Sequence, residues 1–173
     1  MGAEDQVIAL SWGPLSPEHG TDALIEGVKV AADADTEVHA AIFGGDETSI
    51  ARYEAKAQRL GIDQRVHLLG TWPAARLAAL LTEADILVEP STDAGLTPPA
   101  LFTFLASGRP VVLAEREGRD RLVAPGVCAL TPGDRLGIGH ELAELAADAE
   151  LRSRLPASAG DFVAKHHGHT CLR

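Results

Sequence analysis

Glu89-Pro90-Ser91-Thr92-Asp93-Ala94-Gly95-Leu96-Thr97-Pro98-Pro99-Ala100-Leu101-Phe102-Thr103-Phe104-Leu105-Ala106-Ser107-Gly108-Arg109-Pro110-Val111-Val112 is the stretch that decides the fold. It reads as the end of a strand, a loop, a helix that opens on prolines and closes on glycine, and the next strand. Proline suits the first helical turn, where its missing N–H costs nothing. Glycine suits the position just past the end. In an α/β sheet such a strand-to-helix turn lies at the carboxyl edge, where ligands bind.

The same alternation runs outward in both directions. Gln6–Trp12, Glu37–Phe43, Arg65–Leu69, Ile86–Glu89, Pro110–Ala114 and Gly126–Leu130 are predicted strands. Between and after them, Thr21–Ala32, Glu47–Leu60, Pro73–Thr82, Pro98–Ser107, Glu117–Val123, Gly139–Ala147 and Glu150–Leu155 carry helical spacing. Short apolar strands separated by amphipathic helices imply parallel β-α-β units covered on both faces. The expected fold is therefore α/β: a doubly wound, mostly parallel, six-stranded Rossmann-like sheet in one domain over residues 1–173.

Composition narrows the function. The 173 residues are 46% hydrophobic and 23% charged, which is ordinary for a globular chain, but only 4% aromatic, so Ala, Leu and Val must fill the core. A net charge of -10 argues against general affinity for nucleic acid or an anionic membrane. No apolar run is long enough to span a bilayer, and the first residues form no signal core. Two cysteines, Cys128 and Cys171, fit neither a disulfide framework nor a zinc site and point to a reducing, cytoplasmic setting. His166, His167, His169 and Cys171 read as a solvated tail; no metal and no cofactor are expected. Neither G-x-G-x-x-G after the first strand nor a Walker sequence is present, which excludes the plain dinucleotide and P-loop enzymes.

Five landmarks occur in a specific order: Gly13-Pro14-Leu15-Ser16-Pro17-Glu18-His19-Gly20; Phe43-Gly44-Gly45-Asp46; Leu60-Gly61-Ile62 through Arg65-Val66-His67-Leu68-Leu69-Gly70; Ala84-Asp85-Ile86-Leu87-Val88-Glu89-Pro90-Ser91; and Leu105-Ala106-Ser107-Gly108-Arg109-Pro110-Val111-Val112. Together, from about Val7 to Arg173, they resemble the C-terminal, donor-binding half of a family 4 (group 1) GT-B glycosyltransferase. The resemblance implies a nucleotide-sugar donor, retention of anomeric configuration, and an N-terminal acceptor half absent from this stretch. That half, or a second copy of the chain, is the partner it implies, and a free half is expected to expose apolar surface.

The resemblance also identifies gaps. The family's arginine and lysine after the first strand correspond here to Pro14 and His19. Proline offers neither charge nor amide, and an imidazole is charged only when protonated, a minority state at pH 7. The family's Glu-x7-Glu pair corresponds to Gly95 and Thr103. Asp93 lies two residues before Gly95. With Thr97 as the cap, Pro98 and Pro99 remove two of the amides a helix start can offer to phosphate. The expected donor contacts are Gly13, His19, Gly44, Gly95, Leu96, Thr97 and Thr103, with Gly70, Thr71 and Trp72 near the base. No residue stands out as a catalytic acid, base or nucleophile. Two readings follow: a donor half of a glycosyltransferase, or a binding module that keeps the fold without the donor site.

Overall fold

The computed structural model describes residues 6–73, 79–92, 99–115, 126–156 and 159. Six strands form one parallel sheet: β1 (Val7–Trp12), β2 (Val38–Phe43), β3 (Val66–Leu68), β4 (Ile86–Glu89), β5 (Val111–Ala114) and β6 (Ala129–Thr131). Their order is β3-β2-β1-β4-β5-β6. The chain builds outward from β1 to one side, then crosses back and builds from β4 to the other. Between β1 and β4, consecutive connections diverge to opposite sides, which opens a crevice at the carboxyl edge.

Both sheet faces are buried, and the period-two pattern shows how. Val7, Ala9, Val38, Ala40, Ile42, Ile86, Val88 and Val112 face one core layer. Leu10, Phe43, Leu87, Val111 and Leu113 face the other. A strand covered on both sides has no polar face to show, which is why Ile86–Val88 and Val111–Ala114 read as unbroken apolar runs, whereas β2 and the edge strand β3 carry His39 and the exposed His67.

The first layer is closed by α1 (Thr21–Asp33), α2 (Glu47–Leu60) and α4 (Arg135–Ala147); the second contains Leu101, Phe104 and Leu105 of α3 (Pro99–Ala106). Helices α1 and α4 cross on glycine. A Cβ on Gly27 would lie 2.9 Å from Ile138 Cγ2, and one on Gly139 would lie 2.5 Å from Val30 Cβ. The two backbones approach this closely only because neither glycine carries a side chain.

Helix α2 starts and stops as its sequence dictates. Asp46 accepts the Ser49 N–H at 2.8 Å, and Ser49 Oγ accepts the Asp46 N–H at 2.9 Å, a reciprocal cap. Gly61 ends it in the left-handed conformation at φ 70°.

Three expectations need correction. Strand β6 begins at Ala129, because Gly126 adopts φ 81° and turns the chain first. Helix α4 begins at Arg135, four residues early, because Asp134 caps it by accepting the Gly137 N–H at 2.8 Å. Pro73 is not helical, and among the described residues of that segment 79–81 are helical. The predicted helix 117–123 lies outside the described residues, as does the His-rich tail. Cys128 is buried, as a small core residue should be.

Two landmark side chains do framework work. Asp85 Oδ2 accepts the Ile8 N–H at 2.8 Å while the Asp85 N–H donates to the Ile8 carbonyl at 3.0 Å, extending the β1–β4 pairing by one step. Arg109 sends its guanidinium to the Thr82 carbonyl, and its N–H donates to Ser107 Oγ at 3.2 Å. The Ser-Gly-Arg-Pro sequence thus locks the turn into β5.

Candidate functional site

The crevice is floored by backbone. The Gly13 N–H donates to the Phe43 carbonyl at 3.0 Å, and the Gly44 N–H donates to the Gly70 carbonyl at 2.7 Å. The loops leaving β1, β2 and β3 are thereby joined side by side. Gly44 has φ 128°, and a Cβ there would lie 1.9 Å from the Gly13 carbonyl oxygen. Only glycine fits both the torsion and the space. Thr71 Oγ1 donates to the Gly45 carbonyl at 3.3 Å, and Trp72 meets Phe43 edge-on with ring centroids 5.2 Å apart. Five predicted site residues, Gly13, Gly44, Gly70, Thr71 and Trp72, therefore form one continuous surface over the carboxyl ends of β1–β3.

The β1–α1 loop makes one wall. Ser16 N–H donates to Thr21 Oγ1 at 3.1 Å, and Ser16 Oγ shares a 2.9 Å hydrogen bond with His19 Nδ1. His19 is exposed and held by this contact. Beside it the Glu18 carboxyl is kept below the usual carboxylate range, first by its backbone hydrogen bond and then by Ser16. Gly20 closes the loop at φ 72°, where a Cβ would lie 2.2 Å from the Pro90 carbonyl. Ser91 Oγ reaches the Glu18 carbonyl at 3.5 Å. The loops after β1 and β4 thus touch at the point where strand order reverses.

The end of β4 lies against this loop. Glu89, its last residue, is only 4% exposed, and one of its carboxylate oxygens accepts the Ser91 N–H at 3.2 Å. Sequence reasoning treated Glu89 as a strand end and missed that its carboxylate is buried there. The signal was visible: a carboxylate closing the apolar run Ile86-Leu87-Val88 just before Pro90-Ser91. Thr103 lies on α3 with its side chain exposed. Gly95, Leu96 and Thr97, with Asp93, lie outside the described residues.

Among the described residues, the β1–α1 loop itself holds no lysine or arginine, although the Arg52 charge reaches Glu18. Pro14 is exposed and uncharged, and His19 is the nearest titratable base on the loop. An open cleft of about 330 Å³ lies elsewhere, between α1 and α2, lined by Asp22, Glu26, Arg52, Lys56, Arg59 and Leu60. Its lysine is already committed, since Lys56 pairs with Asp22 and with Glu26 at 2.7 Å. Tyr53 donates to Asp22 at 2.9 Å. Burial and the neighbouring carboxylate push the Tyr53 phenol up to about 12. This network ties two helices together and leaves the strand-end crevice as the better candidate. Among the described residues, no three His, Cys, Asp or Glu side chains gather as metal ligands, and no helix is long and apolar enough to cross a membrane.

A family model, "Glycosyl transferases group 1", matches residues 6–148. The chain belongs to the group 1 glycosyl transferases. Its parallel sheet and flanking helices are those of the family's GT-B structures. It is 26% identical over 153 residues to a phosphatidyl-myo-inositol mannosyltransferase of Mycobacterium leprae, covering 87% of this chain and 40% of that protein. The Anabaena protein HepE, solved with UDP and glucose, superimposes with a TM-score of 0.82 at 21% identity, covering 93% of this chain and 44% of that one. The C-terminal domain of the group 1 glycosyl transferase LpcC from Francisella tularensis gives 0.80 at 20% identity, with 92% and 85% covered. The chain thus spans about two fifths of the curated mannosyltransferase and the matching share of HepE, and most of a solved C-terminal domain.

Proposed function

We propose that this chain supplies the nucleotide-sugar-binding half of a retaining glycosyl-transfer system, with the acceptor half provided by a partner chain or by the rest of a longer one. The observation that carries this reading is the glycine floor at the switch point: a Cβ at Gly13 would meet nothing within 4 Å, so backbone there is open to a ligand, while Gly44 and Gly70 hold the neighbouring strand ends against it. Thr71 and Trp72 stand at the β3 end of that floor, the side expected to meet the base. Thr103 offers one hydroxyl in place of a carboxylate to the ribose.

The described residues of the site hold little fixed positive charge. Departure of a sugar from a nucleoside diphosphate builds negative charge that fixed cations and oriented amides must stabilise. Pro14 contributes nothing, and His19 contributes only when protonated. Losing two charge-assisted contacts costs about 3–6 kcal/mol, a factor of roughly 10²–10⁴ in affinity.

Calorimetry with UDP- and GDP-sugars tests the reading. High-micromolar to millimolar binding of one nucleotide class is expected. Absence of binding at several millimolar for every nucleotide would overturn it and favour a binding module that keeps only the fold.

A further inference from the structure

On the β2–β3 side of the sheet, four polar side chains form a single chain of contacts. Arg65 Nη2 pairs with Glu37 Oε2 at 2.9 Å, while Arg65 Nη1 donates to the Thr36 carbonyl at 2.6 Å. Glu37 Oε1 lies 3.0 Å from His39 Nε2. His39 Nδ1 lies 3.2 Å from His67 Nε2. The two imidazole planes agree within 11° and their centroids are 5.5 Å apart. That separation is roughly the N···N distance plus one ring radius at each end. The rings therefore meet head to head in one plane, joined by a hydrogen bond.

Proton counting sets how this pair behaves. The Glu37 carboxylate only accepts, so His39 Nε2 carries a proton. One proton fits between His39 Nδ1 and His67 Nε2. That bond survives when both rings are neutral, and it survives when either one is charged. With both charged, an N–H sits on each facing nitrogen, the bond is lost, and two like charges face each other. Among the described residues, the charged groups that reach the pair are Glu37, before β2, and Arg65, in the turn before β3. Hydrogen bonding to His39 and the nearby Arg65 charge hold the Glu37 carboxyl below its usual range, so it stays ionised in mild acid.

The pair bridges β2, the second strand, to the edge strand β3, which has three residues and a neighbour on one side only. Beyond it the chain runs directly into Gly70, Thr71 and Trp72. We infer that the His39–His67 pair is an acid-sensitive latch: double protonation releases β3 from β2 and loosens the Gly70–Trp72 wall of the crevice. Its link to ligand binding rests on the donor-half reading above; the latch itself does not. The sign agrees with the ring environments. His67 is exposed; its partial desolvation, then the His39 charge, lowers its pKa, so the fold favours the neutral ring. The stabilisation is full above about pH 6.5, the ordinary histidine value, and is lost as pH falls through the lowered one.

Amide exchange at pH 7.5 and pH 5 tests this, comparing the full chain with His67→Gln. The glutamine amide can still donate to His39 but cannot take a charge. The Leu69 N–H, bonded to the Ile42 carbonyl at 2.9 Å, and the Gly44 N–H, bonded to the Gly70 carbonyl at 2.7 Å, report the latch. Their protection should fall about tenfold in the wild type between the two pH values and less than twofold in the variant. Equal loss in both proteins, or none in the wild type, overturns the latch. UDP affinity is measured alongside, as a ratio between the two proteins at each pH. A wild type that fails to bind UDP at pH 7.5 counts against the donor reading, while the exchange result still decides the latch.

Discussion

Gly44→Ala is the sharpest perturbation of the crevice floor. At φ 128° an alanine must either stay in a torsion that L residues avoid or shift the strand end. Staying puts its Cβ 1.9 Å from the Gly13 carbonyl oxygen and 2.9 Å from the carbonyl carbon. Both obstacles are backbone, so no rotamer change relieves them. Shifting breaks the 2.7 Å bond from Gly44 N–H to the Gly70 carbonyl. Torsional strain costs about 1–3 kcal/mol, and overpacking against fixed neighbours adds about 1–3 kcal/mol. The sum is about 2–6 kcal/mol, which for a chain of this size lowers Tm by roughly 4–24 °C. Gly61→Ala is the control. Gly61 also has positive φ, 70°, but a Cβ there meets nothing within 4 Å. It should lose only the torsional part, about 1 kcal/mol. Urea titration followed by tryptophan fluorescence suits both variants, since Trp72 packs on Phe43 beside the altered floor. Equal losses for the two variants would refute the argument that the floor is closed by backbone contact.

The helix crossing predicts that Gly139→Ala destabilises the fold by about 1–3 kcal/mol, despite alanine's better helix propensity, because Val30 and the Gly27 carbonyl occupy the space; a neutral or stabilising result in thermal melts would contradict it. The Tyr53–Asp22–Lys56 network sets the alkaline limit. A phenol raised to about 12 contributes stability below its unfolded value near 10 and loses it as pH climbs through 12. Lys56 is raised too, because its carboxylate partners outweigh its burial, and it loses stability in the same direction. Tyr53→Phe should therefore flatten the stability loss between pH 10 and 12, by on the order of 1–2 kcal/mol after solvent screening. An unchanged alkaline limb in denaturant titrations would remove Tyr53 from the account. The double variant His19→Lys with Thr103→Glu should tighten UDP-sugar binding about tenfold or more by calorimetry, while a weaker complex would mean that the pocket geometry, not only its charge, departs from the family.

Much of the fold was legible because its signals are local. Apolar runs marked both-face burial, Asp46 and Gly61 marked the ends of α2, and Gly44-Gly45 marked the turn after β2. The start of α4 was missed because Gly137 and Gly139 dilute helical spacing, and their packing against Thr131 and α1 is a tertiary fact. The site was half legible. Its glycines could be placed by order along the chain, but their closeness to one another depends on strand order. Glu89 was overlooked because burial of a carboxylate cannot be read from a strand-end position alone. The His39–His67 contact depends on the register of β2 and β3, in which Ala41 sits opposite His67, and nothing in the linear sequence joins those two residues.

The most direct test of the central claim is an NMR titration of the ¹⁵N-labelled chain with UDP-glucose. Fast-exchange shifts are expected, concentrated at Gly13, His19, Gly44 and Gly70–Trp72 and saturating in the high-micromolar to millimolar range. Shifts confined to the cleft between α1 and α2, or none up to 10-millimolar-scale ligand, roughly the weak limit of the range above, would contradict it.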